Sequence, residues 1–259
     1  MPRFDSLRQA RLGRALTYAA VGVLTAASLA MCALALTKNS SDAAARAAST
    51  YTPPTLPTGA PASDSATPSP TPGAPVAVFL GDSYVAGDGA SDPADAFPAL
   101  VAAHEGWQAQ VVACPGAGYA TAGDCGENLS GLVPTVVADA PDIVVVSAGR
   151  YDMSDAADVS AGADAVFSSL HSALPDAQIY VVSPVWDDDH AVQPLGYIQQ
   201  DVKDAAERNG ATYLDIGEPL RDHPELVASD GVMPDDDGHA ALADAIEKAL
   251  PGESEQQGE

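Results

Sequence analysis

Basic residues are scarce where this chain is richest in acid. Residues 76–259 hold 5 Lys and Arg against 33 Asp and Glu, a formal net charge of −28 with histidine neutral. Such a surface repels phosphate backbones and anionic headgroups, so it excludes nucleic acid as a partner and anionic lipid as a docking surface for this part of the chain. Cysteine is nearly absent: there are three in 259 residues, and only Cys114 and Cys125 lie beyond the first apolar run. Two thiols with no histidine close by in sequence fall short of a zinc set. Outside the cytoplasm a pair bracketing a Gly-rich stretch is expected to form a disulfide, stabilising by about 3 kcal/mol through the chain entropy it removes. The glycines at 116–123 lack the strand-to-helix fingerprint of a dinucleotide site, and no flavin or metal signature stands out, so no cofactor and no metal are expected. The acidic runs 187–189 and 235–237 are the nearest approach to a hard-cation site. Consecutive acids point in different directions, however, and a solvated face is the preferred reading.

Charge is also missing from residues 15–36, a run of 22 residues preceded by Arg3, Arg8, Arg11 and Arg14. That length spans a bilayer, and the arginines would hold the N-terminus (residues 1–14) in the cytoplasm. The expectation is a single-pass transmembrane anchor over 15–37 with everything after Lys38 extracytoplasmic. A cleaved signal peptide, which would leave a secreted protein, is the competing reading. The run exceeds the usual h-region of about 7–15 residues, which favours the anchor. Cys32 follows Met31 where a lipoprotein signal wants a small residue, so it reads as a cysteine facing lipid or another helix. Residues 38–75 are rich in Ala, Ser, Thr and Pro and have no apolar periodicity, as expected of an extended, solvated tether. A disordered acidic tail is expected at 252–259.

What remains, 76–251, is long enough to bury one sizeable core. Short β-branched runs alternate with helical patterns. Strands are expected at 76–80, 108–113, 143–147, 179–183 and 211–216, and helices at 93–104, 129–138, 156–174, 195–209 and 237–250. Strands alternating with helices predict a parallel sheet covered on both faces. With right-handed crossovers the simplest arrangement is a flavodoxin-like α/β/α sandwich of about five parallel strands in the order 2-1-3-4-5.

The stretch from Val76 to Gly89, VAVFLGDSYVAGDG, puts the chemistry at one point. A buried strand stops at Gly81-Asp82-Ser83, which places Ser83 at a strand's carboxyl end, where open α/β sheets bind ligands. Alone, a Gly-Asp-Ser tripeptide is more often an ordinary turn. Three further blocks follow in order: Gly116-Ala117-Gly118-Tyr119, Ser147-Ala148-Gly149-Arg150, and Asp230-Gly231-Val232 with Gly238-His239. As a set, over about 170 residues, they resemble the SGNH (GDSL) hydrolase family.

That resemblance implies the SGNH-type sandwich and a serine esterase or acyl hydrolase. Ser83 would be the nucleophile, Asp230 the orienting acid, and the backbone N–H groups of Ser83 and Gly118 oxyanion donors, with Gly116 the alternative to Gly118. Two positions depart from the family pattern. Where Gly-x-Asn-Asp is usual, Tyr151 replaces the asparagine; where Asp-x-x-His-Pro is usual, Met233 replaces the histidine. A thioether takes no proton near neutral pH, and a phenol reaches farther than an amide, so Tyr151 is expected to fill the pocket. His239, His190 and His223 are candidate substitute bases, although a structural role is the expectation for His239. Trp186, Tyr84, Tyr119 and Tyr151 are candidate cleft residues. The implied partner is a small-molecule, glycan or lipid ester of the cell envelope if the site is active, or a ligand or envelope protein if it is a catalytically inactive binding module.

Overall fold

In the computed structural model, residues 73–187 and 193–252 are described below. The anchor, the signal-peptide alternative, most of the tether, the terminal tail from 253, His190 and the last two acids of the run 187–189 lie outside them. Five strands form one sheet: β1 (Val76–Gly81), β2 (Gln108–Ala113), β3 (Ile143–Ser147), β4 (Gln178–Val182) and β5 (Thr212–Leu214). Every pairing is parallel and the order is 2-1-3-4-5, as expected. The connecting helices are α1 (Ser83–Ala86), α2 (Phe97–Glu105), α3 (Leu129–Ala138), α4 (Val159–Ala173), α5 (Gln193–Arg208) and α6 (Asp236–Ala249).

Alternation along β1 builds the three layers. Val78 and Leu80 face a core shared with Val133, Phe167 and Val202 from α3, α4 and α5. Ala77 and Phe79 face the opposite core, with Phe97 and Val101 from α2 and Leu242 and Ile246 from α6. Strand β1 is therefore buried on both sides, which is why its sequence is a continuous apolar run. Direction reverses at β1, with β2 on one side and β3 on the other, and this switch point leaves a crevice beyond the strand ends.

Some boundaries moved for identifiable reasons. The helix expected over 156–174 starts at Val159, because Ala156–Asp158 closes as a 3-10 turn. That expected over 93–104 starts at Phe97, with Pro98 in its first turn, where a missing N–H costs nothing. Strand β5 has three residues rather than six. The four-residue helix α1 was not anticipated; it is a single turn capped by the Asp82 carboxylate, which accepts from the Tyr84 N–H at 3.0 Å.

Gly81 carries the tightest packing requirement near the switch point. A Cβ there would lie 2.1 Å from the Ser147 carbonyl oxygen of β3. Only glycine lets β1 end so close to its neighbour while the chain turns into α1.

Cys114 and Cys125 form a disulfide, closing the loop between β2 and α3. Cys114 is buried and Cys125 exposed. Replacing both by serine is expected to lower unfolding free energy by about 3 kcal/mol. Urea unfolding of the wild type with and without reductant, beside the double variant, checks this; equal stability in all three would refute it.

Candidate functional site

The site begins at the end of β1. Ser83 is the first residue of α1 and is 4% exposed. As a helix N-terminal residue its own N–H has no intrahelical acceptor. Its Oγ accepts from the Gly116 N–H at 3.3 Å and from the Tyr151 hydroxyl at 3.0 Å. Both neighbours donate. Among the described residues no histidine or carboxylate accepts from Ser83 Oγ.

Gly116, the alternative in the sequence reading, is thus the glycine that faces the serine. Gly118 is engaged elsewhere: its N–H bonds the Thr121 carbonyl at 2.9 Å, and a Cβ on it would lie 2.2 Å from the Asp152 carboxylate. Tyr151, expected to fill the pocket, meets Ser83 through its hydroxyl. It leaves β3 through Gly149, whose φ of +121° suits glycine, and a 3-10 turn over Arg150–Ser154 brings its phenol onto Ser83. The ring reaches the nucleophile position directly.

Asp152, which sequence reasoning missed, organises the loop beside Ser83. It is fully buried, and its carboxylate accepts from the backbone N–H groups of Tyr119, Ala120 and Thr121 at 2.8, 3.0 and 2.9 Å. Three donors compensate the desolvated charge. The signal available was the family's Gly-x-Asn-Asp pattern itself, whose final acid is kept here as Asp152.

Arg150 was also missed. Its guanidinium pairs with Asp187 at 3.1 Å, both side chains being about nine-tenths buried, and donates to the Tyr84 hydroxyl and to the Val232 carbonyl at 3.3 Å. It lies 4.7, 5.5 and 5.1 Å from the ring centroids of Tyr84, Tyr151 and Trp186. One cation therefore ties α1, the turn after β3, the segment after β4 and the loop before α6. Of the four aromatic residues expected in a cleft, Tyr151 and Trp186 are half-buried there and Tyr84 is buried against Arg150. Tyr119 instead packs edge-on to Phe167 in the core.

Asp230 and Met233 sit in the loop before α6. The Asp230 Oδ1 accepts from the N–H groups of Val232 and Met233 at 2.9 and 3.0 Å, and these bonds hold its carboxyl below the usual carboxylate range. Its bonds stay within its own turn, and none reaches Ser83. Met233 packs against the core beneath α6.

His239 does not stand free as a substitute base. It is fully buried, its Nδ1 accepts from the Phe97 N–H at 3.3 Å, and its Nε2 lies 3.3 Å from the Asp88 carbonyl. Burial pushes its pKa down, and the two backbone partners fix a neutral ring that joins α6 to α2. His223 is exposed and pairs with Glu225 at 2.8 Å.

Among the described residues no group of three or more His, Cys, Asp or Glu is arranged to hold a metal. The acidic run at 235–237 has other uses: Asp235 caps α6 through the Gly238 N–H, and Asp236 accepts from the Ser91 N–H and hydroxyl.

Comparisons with known proteins bear on this arrangement. The profile of the GDSL-like lipase/acylhydrolase family matches residues 79–241. A GDSL lipase of Mycobacterium tuberculosis is 33% identical over 187 residues, covering 66% of this chain and 79% of that protein. A family two carbohydrate esterase from Cellvibrio japonicus superposes with a TM-score of 0.55 at 17% identity, over 68% of this chain and 60% of its own. A salicylyl-acyltransferase from a tetracycline biosynthetic pathway gives 0.55 at 22%, over 68% of this chain and 54% of its own. The chain thus spans little more than half the length of those two structures, and at these identities they speak to the fold.

Asp82 supplies a pH signature next to Ser83. Burial raises its carboxyl from 3.8 to about 7, partly opposed by the Tyr84 N–H and Arg150. The folded protein keeps this proton up to about pH 7 while the unfolded chain releases it near 3.8, so folding takes up a proton between those values. Its contribution therefore falls as pH rises through that window, by up to about 1.4 kcal/mol per pH unit. Asp82→Asn keeps the cap acceptor and is expected to flatten this part of the stability profile. Urea midpoints across that range test it, and parallel profiles for the two proteins would refute it.

Proposed function

The chain belongs to the GDSL-like lipase/acylhydrolase family, and from that premise we propose that it is an extracytoplasmic domain that binds an acyl or ester group at Ser83 without efficient hydrolysis. One observation supports this reading: among the described residues Ser83 Oγ is met by two hydrogen-bond donors and by no histidine or carboxylate acceptor. Gly116 N–H, Tyr151 O–H and Ser83 N–H suit a carbonyl oxygen or a developing oxyanion. Met233 stands where the family pattern has the histidine that would activate the serine. In subtilisin, loss of the serine or the histidine slows turnover by about a million-fold, which sets the scale of such a change.

The proposed location rests on the sequence: four arginines precede an uncharged run long enough to span a bilayer, and the Cys114–Cys125 disulfide suits an oxidising compartment. The ligand proposed is a small-molecule, glycan or lipid ester of the envelope. The retained donors also fit an active esterase whose base is supplied from elsewhere, and the M. tuberculosis relative carries the name of a lipase.

Hydrolysis of a small activated acetyl ester by the full chain separates the two. The unaltered protein is expected to turn over no faster than Ser83→Ala. Met233→His, alone or with Tyr151→Asn, is expected to gain Ser83-dependent turnover of roughly a hundred-fold or more, the usual worth of a positioned general base. Ser83-dependent turnover in the unaltered chain would overturn the reading and direct attention to His190.

A further inference from the structure

A cleft of about 800 Å³ opens at the amino end of the sheet. Its lining includes Pro75 just before β1, Ile143 at the start of β3 and Gln178 at the start of β4. Ser83 follows the other end of β1, so the two places are separated by about the length of a strand, on the order of 15–20 Å. Nothing in the Ser83 chemistry uses this cleft.

Its chemistry is specific. Trp107 is half-buried and lies nearly parallel to Tyr180, with centroids 6.4 Å apart and an angle of 7°. Tyr180 also lines the cleft but is 4% exposed, so Trp107 offers most of the aromatic surface open to a ligand. Around this one flat apolar face stand Glu105, Asp142, Asp176, Gln178 and Glu247, and among the described residues no Lys or Arg lines the cleft. Asp142 accepts from the Val76 N–H at 2.8 Å, and Gln178 Oε1 from the Tyr180 hydroxyl at 3.0 Å. A carboxylate offers about four acceptor sites, so capacity remains after such bonds. Burial, with Asp244 and Glu105 nearby and partly offset by His104, holds the Glu247 carboxyl above its ordinary value. Hydroxyl donors would relieve that.

We propose that this cleft binds a neutral oligosaccharide, with the apolar face of one sugar ring on Trp107 and the sugar hydroxyls donating to the surrounding carboxylates. Size agrees, because ligand clefts of about 300–1,000 Å³ enclose molecules of this scale. Charge excludes an anion. An organic cation is the nearest competitor, but recognition of quaternary ammonium uses a cage of several rings, and here Trp107 offers most of the aromatic surface. The site is independent of any reaction at Ser83. It would hold the domain on a polysaccharide while leaving the carboxyl end of the sheet open.

The test uses the full chain carrying Trp186→Phe, which makes Trp107 the only tryptophan. Its fluorescence is titrated with cellotriose, with the trisaccharide of β-1,4-linked N-acetylglucosamine, and with tetramethylammonium. A saturable change with either sugar is expected, with a Kd near or below about 1 mM. Asp176→Ala, at an exposed position that leaves folding intact, is expected to weaken binding several-fold, and Trp107→Ala, followed by calorimetry, at least tenfold. No saturable response to either sugar, a response to tetramethylammonium alone, or loss of sugar binding in Ser83→Ala with retention in Asp176→Ala would each overturn the proposal. Failure here leaves the Ser83 reading untouched, since that rests on ester turnover.

Discussion

The buried carboxylate of Asp152 is the interaction on which the Ser83 site depends. Removed from water, a carboxylate is tolerated only where donors replace its hydration, and here three consecutive N–H groups of the loop after β2 do so. Those bonds run between segments about thirty residues apart in sequence. They fix the Gly118–Thr121 turn against the end of β3, while the disulfide fixes the loop's flanks. Gly116 then has one place to point its N–H, and that place is Ser83 Oγ. Gly118 has to be glycine for the same reason, since the carboxylate fills the space a Cβ would need.

A second buried charge plays the same part on the other side of the serine. Arg150 joins four segments through Asp187, Tyr84 and Val232, and its cation lies against three aromatic rings. Val232 precedes Met233, so the loop that departs from the family's histidine is held firmly. The site is therefore ordered by buried, compensated charges. The Gly116 donor is held by a loop whose bonds to Asp152 do not involve Tyr151 or Met233, whereas the second donor onto Ser83 is the Tyr151 hydroxyl itself. Met233, where the family pattern has histidine, packs with the apolar cluster beneath α6. The sheet thus presents two chemically different ends: donors around Ser83 at the carboxyl end, acceptors around Trp107 at the amino end.

Much of the fold was legible in the sequence because both signals are local. Apolar runs of five or six residues alternating with helical periodicity specify buried parallel strands and covering helices, and the right-handed crossover rule reduces the orders to few. The boundaries that moved, at Val159, Phe97 and β5, are places where a turn or a first-turn proline competes within the same few residues. The site was legible only in part. Ser83 follows from its place after a strand, and the losses at Tyr151 and Met233 from comparison with an ordered pattern.

Local patterns along the chain specify the sheet order, the layers and the cysteine pair, and the ordered family blocks mark the departures at Tyr151 and Met233. The sequence by itself could not decide between Gly116 and Gly118, foresee that Tyr151 lands on Ser83, remove His239 from consideration, or find Asp152 and Arg150. Those outcomes depend on which backbone N–H groups and rings meet across about thirty to one hundred and fifty residues of sequence. Such meetings are set by strand register and by the demand that each buried charge be compensated. Periodicity records which face a residue takes, and only the folded chain decides what it faces.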